Sequence, residues 1–297
     1  SVVVFISRIF GFARDVILAA FFGTSLLGDA FFLSFRIPNT LRSLLGEGAF
    51  NSAFIPVYSD YLNDDNRKKE GLFLGNLFLR FSFILLIISL LMMLFSEQII
   101  YIISIGMKHK GDFIGLTSNL LKITSWYLLL VGLSAFFMAI QQANNSFARA
   151  AAGQIVFNIA FIIVLLLLFK VKNDTIKVYI ASSGVIVAGV FQLFFQFSEV
   201  IRLKRPFFLN LKSEIRSIKK LTKIIMPAVF GQAILEINLF ADSFFRTFYL
   251  YRCDKCYVLC LSIDAITTWH LFCFNCYGLI DNIFKKTFKE RINQGGL

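Results

Sequence analysis

Two helix-length apolar runs near the start of the chain carry full charges. Residues 6–22, ISRIFGFARDVILAAFF, hold Arg8, Arg14 and Asp15; residues 29–50, DAFFLSFRIPNTLRSLLGEGAF, hold Asp29, Arg36, Arg42 and Glu47. A Lys, Arg or Asp at mid-bilayer costs about 2.5–3.5 kcal/mol on insertion scales, so such residues face a bundle interior or a watery cavity. Two readings follow. In one, the charges sit near helix ends, snorkel to the headgroups and pair with each other. In the other, the excess of arginine makes a cationic cavity, and the planar guanidinium fork selects an anion that carries phosphate or carboxylate. Arg8 and Asp15 are seven residues apart, as are Asp29 and Arg36, so each pair shares one helical face. Pro38 removes a backbone donor and biases Ile37 away from helical geometry, which predicts a kinked or broken second helix. Broken helices at membrane depth line protein or water.

The elements that must position these charges are legible in the composition. The chain has 297 residues, 57% hydrophobic and only 16% charged, with 37 Phe and a mean hydropathy of +0.73. Soluble domains are about 45–50% apolar and about 25% charged, so the chain is expected to be an all-α polytopic membrane protein. About 20 apolar residues cross a hydrocarbon core of roughly 30 Å. Such runs lie at 2–22, 29–54, 72–95, 116–140, 155–169, 178–201 and 221–250, with a doubtful one beyond, predicting a bundle of about seven to eight transmembrane helices. The first span begins at once and residue 1 is Ser rather than Met, so the chain is expected to lack its natural start.

The connections fall into two sets. Those at 56–71, 141–154 and 202–220 hold most of the loop lysines and arginines, whereas 23–28, 96–115 and 170–177 hold few. Because basic loops stay in the cytoplasm, the amino terminus is expected there. The net charge of +12 is then topology, with membrane lipids and no nucleic acid as its partner. Residues 132–161, rich in small residues and amides, read as close helix packing, with Gln141, Gln142, Asn144 and Asn145 as an alternative lining of the cytoplasmic mouth.

The strings SRIFGFARDVILAAFFG, DAFFLSFRIPNTLRSLLGEGAFNSAFIPVYSDY and MPAVFGQAILEINLFADSFF resemble the MurJ (MviN) family of lipid II flippases, in the MOP exporter superfamily. The resemblance runs from residue 2 to about 245, the N-terminal half of a family member. It implies a partial MOP-type transporter fold in the bacterial cytoplasmic membrane. Its substrate would be undecaprenyl-pyrophosphate-linked peptidoglycan precursor (lipid II), flipped from inner to outer leaflet by alternating access. It also implies cavity contacts at Arg8, Arg14, Arg36, Asn39 and Arg42, with Asp15, Asp29 and Glu47 as gating or ion-pair residues. No enzyme, cofactor or metal is implied. A related polysaccharide-lipid or drug exporter is the alternative within the class, although a cationic drug would call for an acidic cavity.

Residues 246–297 differ in kind. Cys253, Cys256, Cys260, Cys273 and Cys276 are the only cysteines, and two C-x-x-C pairs satisfy a common zinc spacing. A membrane-anchored zinc-binding protein is therefore the alternative of another class. The favoured reading is a frameshift near residues 244–248: suitable codons read one nucleotide later give YYAYRLMQLPLG, similar to the family's next helix, and turn every cysteine into alanine. On that reading residues 1–245 are a transmembrane lobe, the tail is unreliable, and a chain of this length is expected to be inactive alone. His109 and His270 are the only histidines, and no triad or Walker-type loop competes.

Overall fold

A computed structural model describes residues 2–23, 25–43, 49–63, 66–104, 112–209 and 215–250; Glu47, His109, His270 and the cysteine-rich tail lie outside the described residues. Among those residues the chain is helical, with no strand. Its helices are α1 (Val2–Phe22), α2 (Leu26–Arg42), α3 (Ala49–Asn63), α4 (Arg67–Leu94), α5 (Ser96–Ile103), α6 (Asp112–Ala143), α7 (Phe147–Leu167), α8 (Asp174–Arg202) and α9 (Ile215–Leu250). This is the all-α polytopic class expected from composition. By length and composition α4, α6, α7 with the 3₁₀ turn that follows it, and α8 are each able to cross a membrane. α1 has the length, 21 residues, but Arg8, Arg14 and Asp15 interrupt its apolar character.

α6, 32 residues long, is the axis of the bundle. Its side chains enter all three apolar clusters. Leu120 and Tyr127 pack with Phe31 of α2, Phe157 and Phe161 of α7 and Val185 of α8. Phe136 and Ile140 pack with Phe50 and Phe54 of α3 and Phe73 of α4. Leu121 and Leu128 meet Leu85 and Met92 of α4 and Ile100 of α5. The faces turned away from α6 stay apolar: Phe83, Ile87, Leu91 and Leu94 on α4, and Phe191, Phe194 and Ile201 on α8, are exposed, as lipid contact requires.

The second expected span, 29–54, falls on two helices. Of the kink or break that the sequence predicts at Pro38, the break is not there: α2 runs through Pro38, which is buried, and ends at Arg42. The reason lies on α6. Pro38 lacks the N–H that would satisfy the carbonyl of Ser34, four residues earlier, and Thr124 Oγ1 donates to that carbonyl at 2.9 Å. Sequence shows the proline but not a hydroxyl that lies far along the chain.

A second polar staple ties α6, α7 and α8. Gln141 Nε2 donates to the Gln196 carbonyl at 3.1 Å and to Gln196 Oε1 at 2.5 Å, and Gln196 Nε2 donates to the Ala150 carbonyl at 2.8 Å. Gln141 is fully buried, so it packs helices and does not line a mouth. Gly153 admits the amide: a Cβ there would lie 2.0 Å from Gln196 Nε2.

Thr124→Val is expected to destabilise the protein by about 1–2 kcal/mol, because it orphans the buried Ser34 carbonyl. In a Pro38→Ala background, where residue 38 regains its N–H, the same change should cost much less. Thermal unfolding of the four forms in detergent checks this; equal losses in both backgrounds would contradict it.

Candidate functional site

The turn between α1 and α2 is built by two residues. Gly23, at φ +50°, ends α1 and returns its N–H to the Ala19 carbonyl at 2.8 Å. Ser25 caps α2 by accepting from Gly28 N at 3.1 Å. α2 packs chiefly on α6 and α1 chiefly on α7. Only Leu18 and Phe22 of α1 are buried, so most of that helix, Arg8 included, keeps an open side.

Arg14 is the organised charge of α1. Its Nε and Nη2 donate to Asp15 Oδ1 at 2.8 and 2.7 Å, and its Nη1 donates to Asn158 Oδ1 on α7 at 3.1 Å. Asn158 is buried, and its Nδ2 donates to the Ser7 carbonyl at 3.3 Å. The guanidinium is thus held on two edges yet stays 17% exposed, with Asp15 at 32%. A part-exposed, oriented guanidinium beside one carboxylate can exchange that partner for an incoming anion without leaving a charge buried alone.

The pairing differs from the one the spacing suggests. Arg8 and Asp15 share a face, but Asp15 bonds its chain neighbour Arg14, whose long side chain folds back along the helix. On α2, Arg42 Nε donates to Asn39 Oδ1 at 3.0 Å, one turn back, and Arg36, half-buried, stands one turn before Asn39. Asp29 lies in the first turn of α2 and is exposed. The structure therefore brings Arg14 to Asp15 and Arg42 to Asn39. Asn158 is the residue that sequence reading passes over. Its signal was available: a lone amide in the apolar run FNIAFIIVLLL must find a partner inside the bundle.

Comparison with known proteins adds the family. A family model described as lipid II flippase MurJ matches residues 18–253. The chain is 36% identical over 283 residues to the probable lipid II flippase MurJ of Aquifex aeolicus, covering 90% of this chain and 53% of that protein. It is 33% identical over 247 residues to the probable lipid II flippase MurJ of Buchnera aphidicola subsp. Acyrthosiphon pisum, covering 83% of this chain and 48% of that protein. A solved structure of lipid II flippase MurJ in an inward closed conformation superposes with a TM-score of 0.65 at 29% identity, over 82% of this chain and 49% of that one. The chain spans about half the length of the curated relatives it matches.

Asn158→Ala is expected to destabilise the protein by roughly 1–2 kcal/mol, since it strips Arg14 of an acceptor and the Ser7 carbonyl of a donor. Asn158→Asp, which keeps the acceptor toward Arg14, should lose less. Melting of the two variants in detergent is the check, and Asn158→Ala melting with the parent would contradict the contact's importance.

Proposed function

The chain belongs to the MurJ family of lipid II flippases, and on that premise we propose that it moves a pyrophosphate-linked lipid across the bacterial cytoplasmic membrane. The substrate is lipid II, passed from inner to outer leaflet. Its polyprenyl tail stays in the bilayer, while its anionic headgroup needs a polar, positive compartment open to one leaflet at a time. A family of transporters asks for no catalytic group, only for charges that bind and let go.

The observation that carries the reading is the Arg14 group. In the resting arrangement Asp15 and Asn158 hold the guanidinium in a part-exposed position. A pyrophosphate that displaces Asp15 takes over the charge-assisted bonds, and Asp15 recaptures Arg14 when the lipid leaves. Arg42, steadied by Asn39, and Arg36 supply further cations from α2, and Arg8 supplies one near the start of α1. Asp29 and Glu47 are proposed as ion-pair partners that exchange between states.

Residues 1–245 are proposed as one transmembrane lobe with its amino terminus in the cytoplasm. Support comes from the loop charges and from a shared cluster. Glu70, Asn144 and Arg205 belong to the three basic connections and meet in one place, so those connections lie at the same end of the bundle.

Because a chain of this length is expected to be inactive alone, the test is lipid II movement in proteoliposomes made with this chain joined to the part of a relative that it does not cover. Arg14→Ala should insert normally yet lose at least ten-fold in transport. Normal flipping by that variant would overturn the cavity assignment.

A further inference from the structure

Away from the Arg14 group, three helix connections converge on one buried carboxylate. Tyr58, near the end of α3, donates its hydroxyl to Glu70 Oε1 at 2.6 Å. Arg205, three residues past α8, places Nη1 3.4 Å from the same oxygen and donates from Nη2 to Asn144 Oδ1, just past α6. Glu70 is 3% exposed, so its charge depends on these donors.

Residues 203–209 then lie along α4 as a strap. Phe208 N donates to the Gly71 carbonyl at 3.0 Å. A Cβ on Gly75 would stand 2.0 Å from the Phe208 carbonyl oxygen, and one on Gly71 would stand 2.5 Å from the Phe208 ring. Two glycines one turn apart therefore make the seat, and no other residue type fits under the Phe208 backbone. Lys204, at φ +52°, turns the chain immediately before Arg205. Left-handed backbone is disfavoured in a residue with a Cβ, so something must hold the turn.

The strap leads into α9, and α3 holds the start of that helix. Tyr61 Oη donates to Ser217 Oγ at 2.5 Å, and Lys220 Nζ lies 3.0 Å from Asp60 Oδ2. The last two turns of α3 thus touch both the carboxylate that holds the strap and the helix that the strap delivers.

We propose that Glu70 and the Gly71–Gly75 seat form a latch: while Arg205 is bound the strap is docked and α9 has one position, and when Arg205 lets go the strap lifts and the start of α9 swings away from α4. The two states are close in energy for stated reasons. Arg205 is 29% exposed, so on release its charge passes to water or headgroups. Glu70 keeps its shorter bond to Tyr58. Release relieves the turn at Lys204, and it frees Arg205 Nε, which in the docked state is buried without an acceptor among the described residues. The rearrangement is internal to the protein and is independent of which lipid it moves.

The experiment is a distance measurement between spin labels in the whole chain in nanodiscs, with the five tail cysteines changed to Ser. One label replaces Lys68 on α4 and the other Lys223 on α9, both exposed and outside the latch. The parent should give one narrow distance. Glu70→Gln keeps an acceptor for Tyr58 but drops the charge that attracts Arg205, and should add a longer population at least several-fold above the parent's. Gly75→Ala, which blocks the seat from the other side, should shift most molecules to the longer distance. A control pair at Lys122 and Asp174, on α6 and α8, should not move. Unchanged Lys68–Lys223 distances in both variants would overturn the latch. So would equal broadening of the control pair, which would make these residues supports of the whole bundle.

Discussion

A polar group inside a bilayer has no water to turn to, and each one must find a partner within the protein. That constraint orders this bundle. Thr124 answers the Ser34 carbonyl that Pro38 leaves open, so α2 stays a helix where its charges are needed. Gln141 and Gln196 lock α6, α7 and α8 into one unit around the notch at Gly153. Asn158 then reaches from that unit to Arg14. The charged helices are in this way tied to the rest of the bundle by a hydrogen bond on α2 and two on α1, and the apolar clusters around α6 fill the space between.

The same constraint separates charges that are closed into the bundle from charges that are free to change partners. A structural ion pair at membrane depth would be closed on every side, because water penetration weakens it and exposure makes it pointless. Arg14 and Asp15 are instead paired and still part-exposed, on a helix with one side open. Such a pair is worth less than a buried one and is correspondingly easier to trade for another anion. Glu70 and Arg205 show a related asymmetry: the acid is buried and the base is part-exposed, so only one of the two can leave.

How far these features could be read in advance depended on how local their cause is. Apolar length alone located α4, α6, α7 and α8, and the expense of charge in apolar runs singled out Arg8, Arg14, Asp15, Asp29, Arg36, Arg42 and Glu47, of which Arg14 is found on Asp15 and Arg42 on Asn39. The partner of Asp15 was not legible, because helical spacing favours residues seven apart, whereas a long arginine side chain can fold back on its neighbour. Pro38 was legible and its consequence was not, since the remedy sits on another helix. α5, with eight residues, is too short to stand out in the expected 96–115 connection. Glu70 and Arg205 read as ordinary loop charges until the strap brings them together. The MurJ resemblance rested on the charged strings of α1 and α2 and on one string within α9; the family match, over residues 18–253, takes in α2 and the α9 string and begins after Arg8, Arg14 and Asp15 of α1.

The central claim is that Arg14 is an anion site for a pyrophosphate lipid, and binding tests it most directly. Native mass spectrometry of the detergent-solubilised chain, titrated with lipid II against a zwitterionic phospholipid, would measure it. The account predicts saturable binding of lipid II that weakens roughly 10–100-fold in Arg14→Ala, the loss of charge-assisted bonds worth about 1.5–3 kcal/mol. Equal affinity for lipid II in the parent and in Arg14→Ala would contradict it.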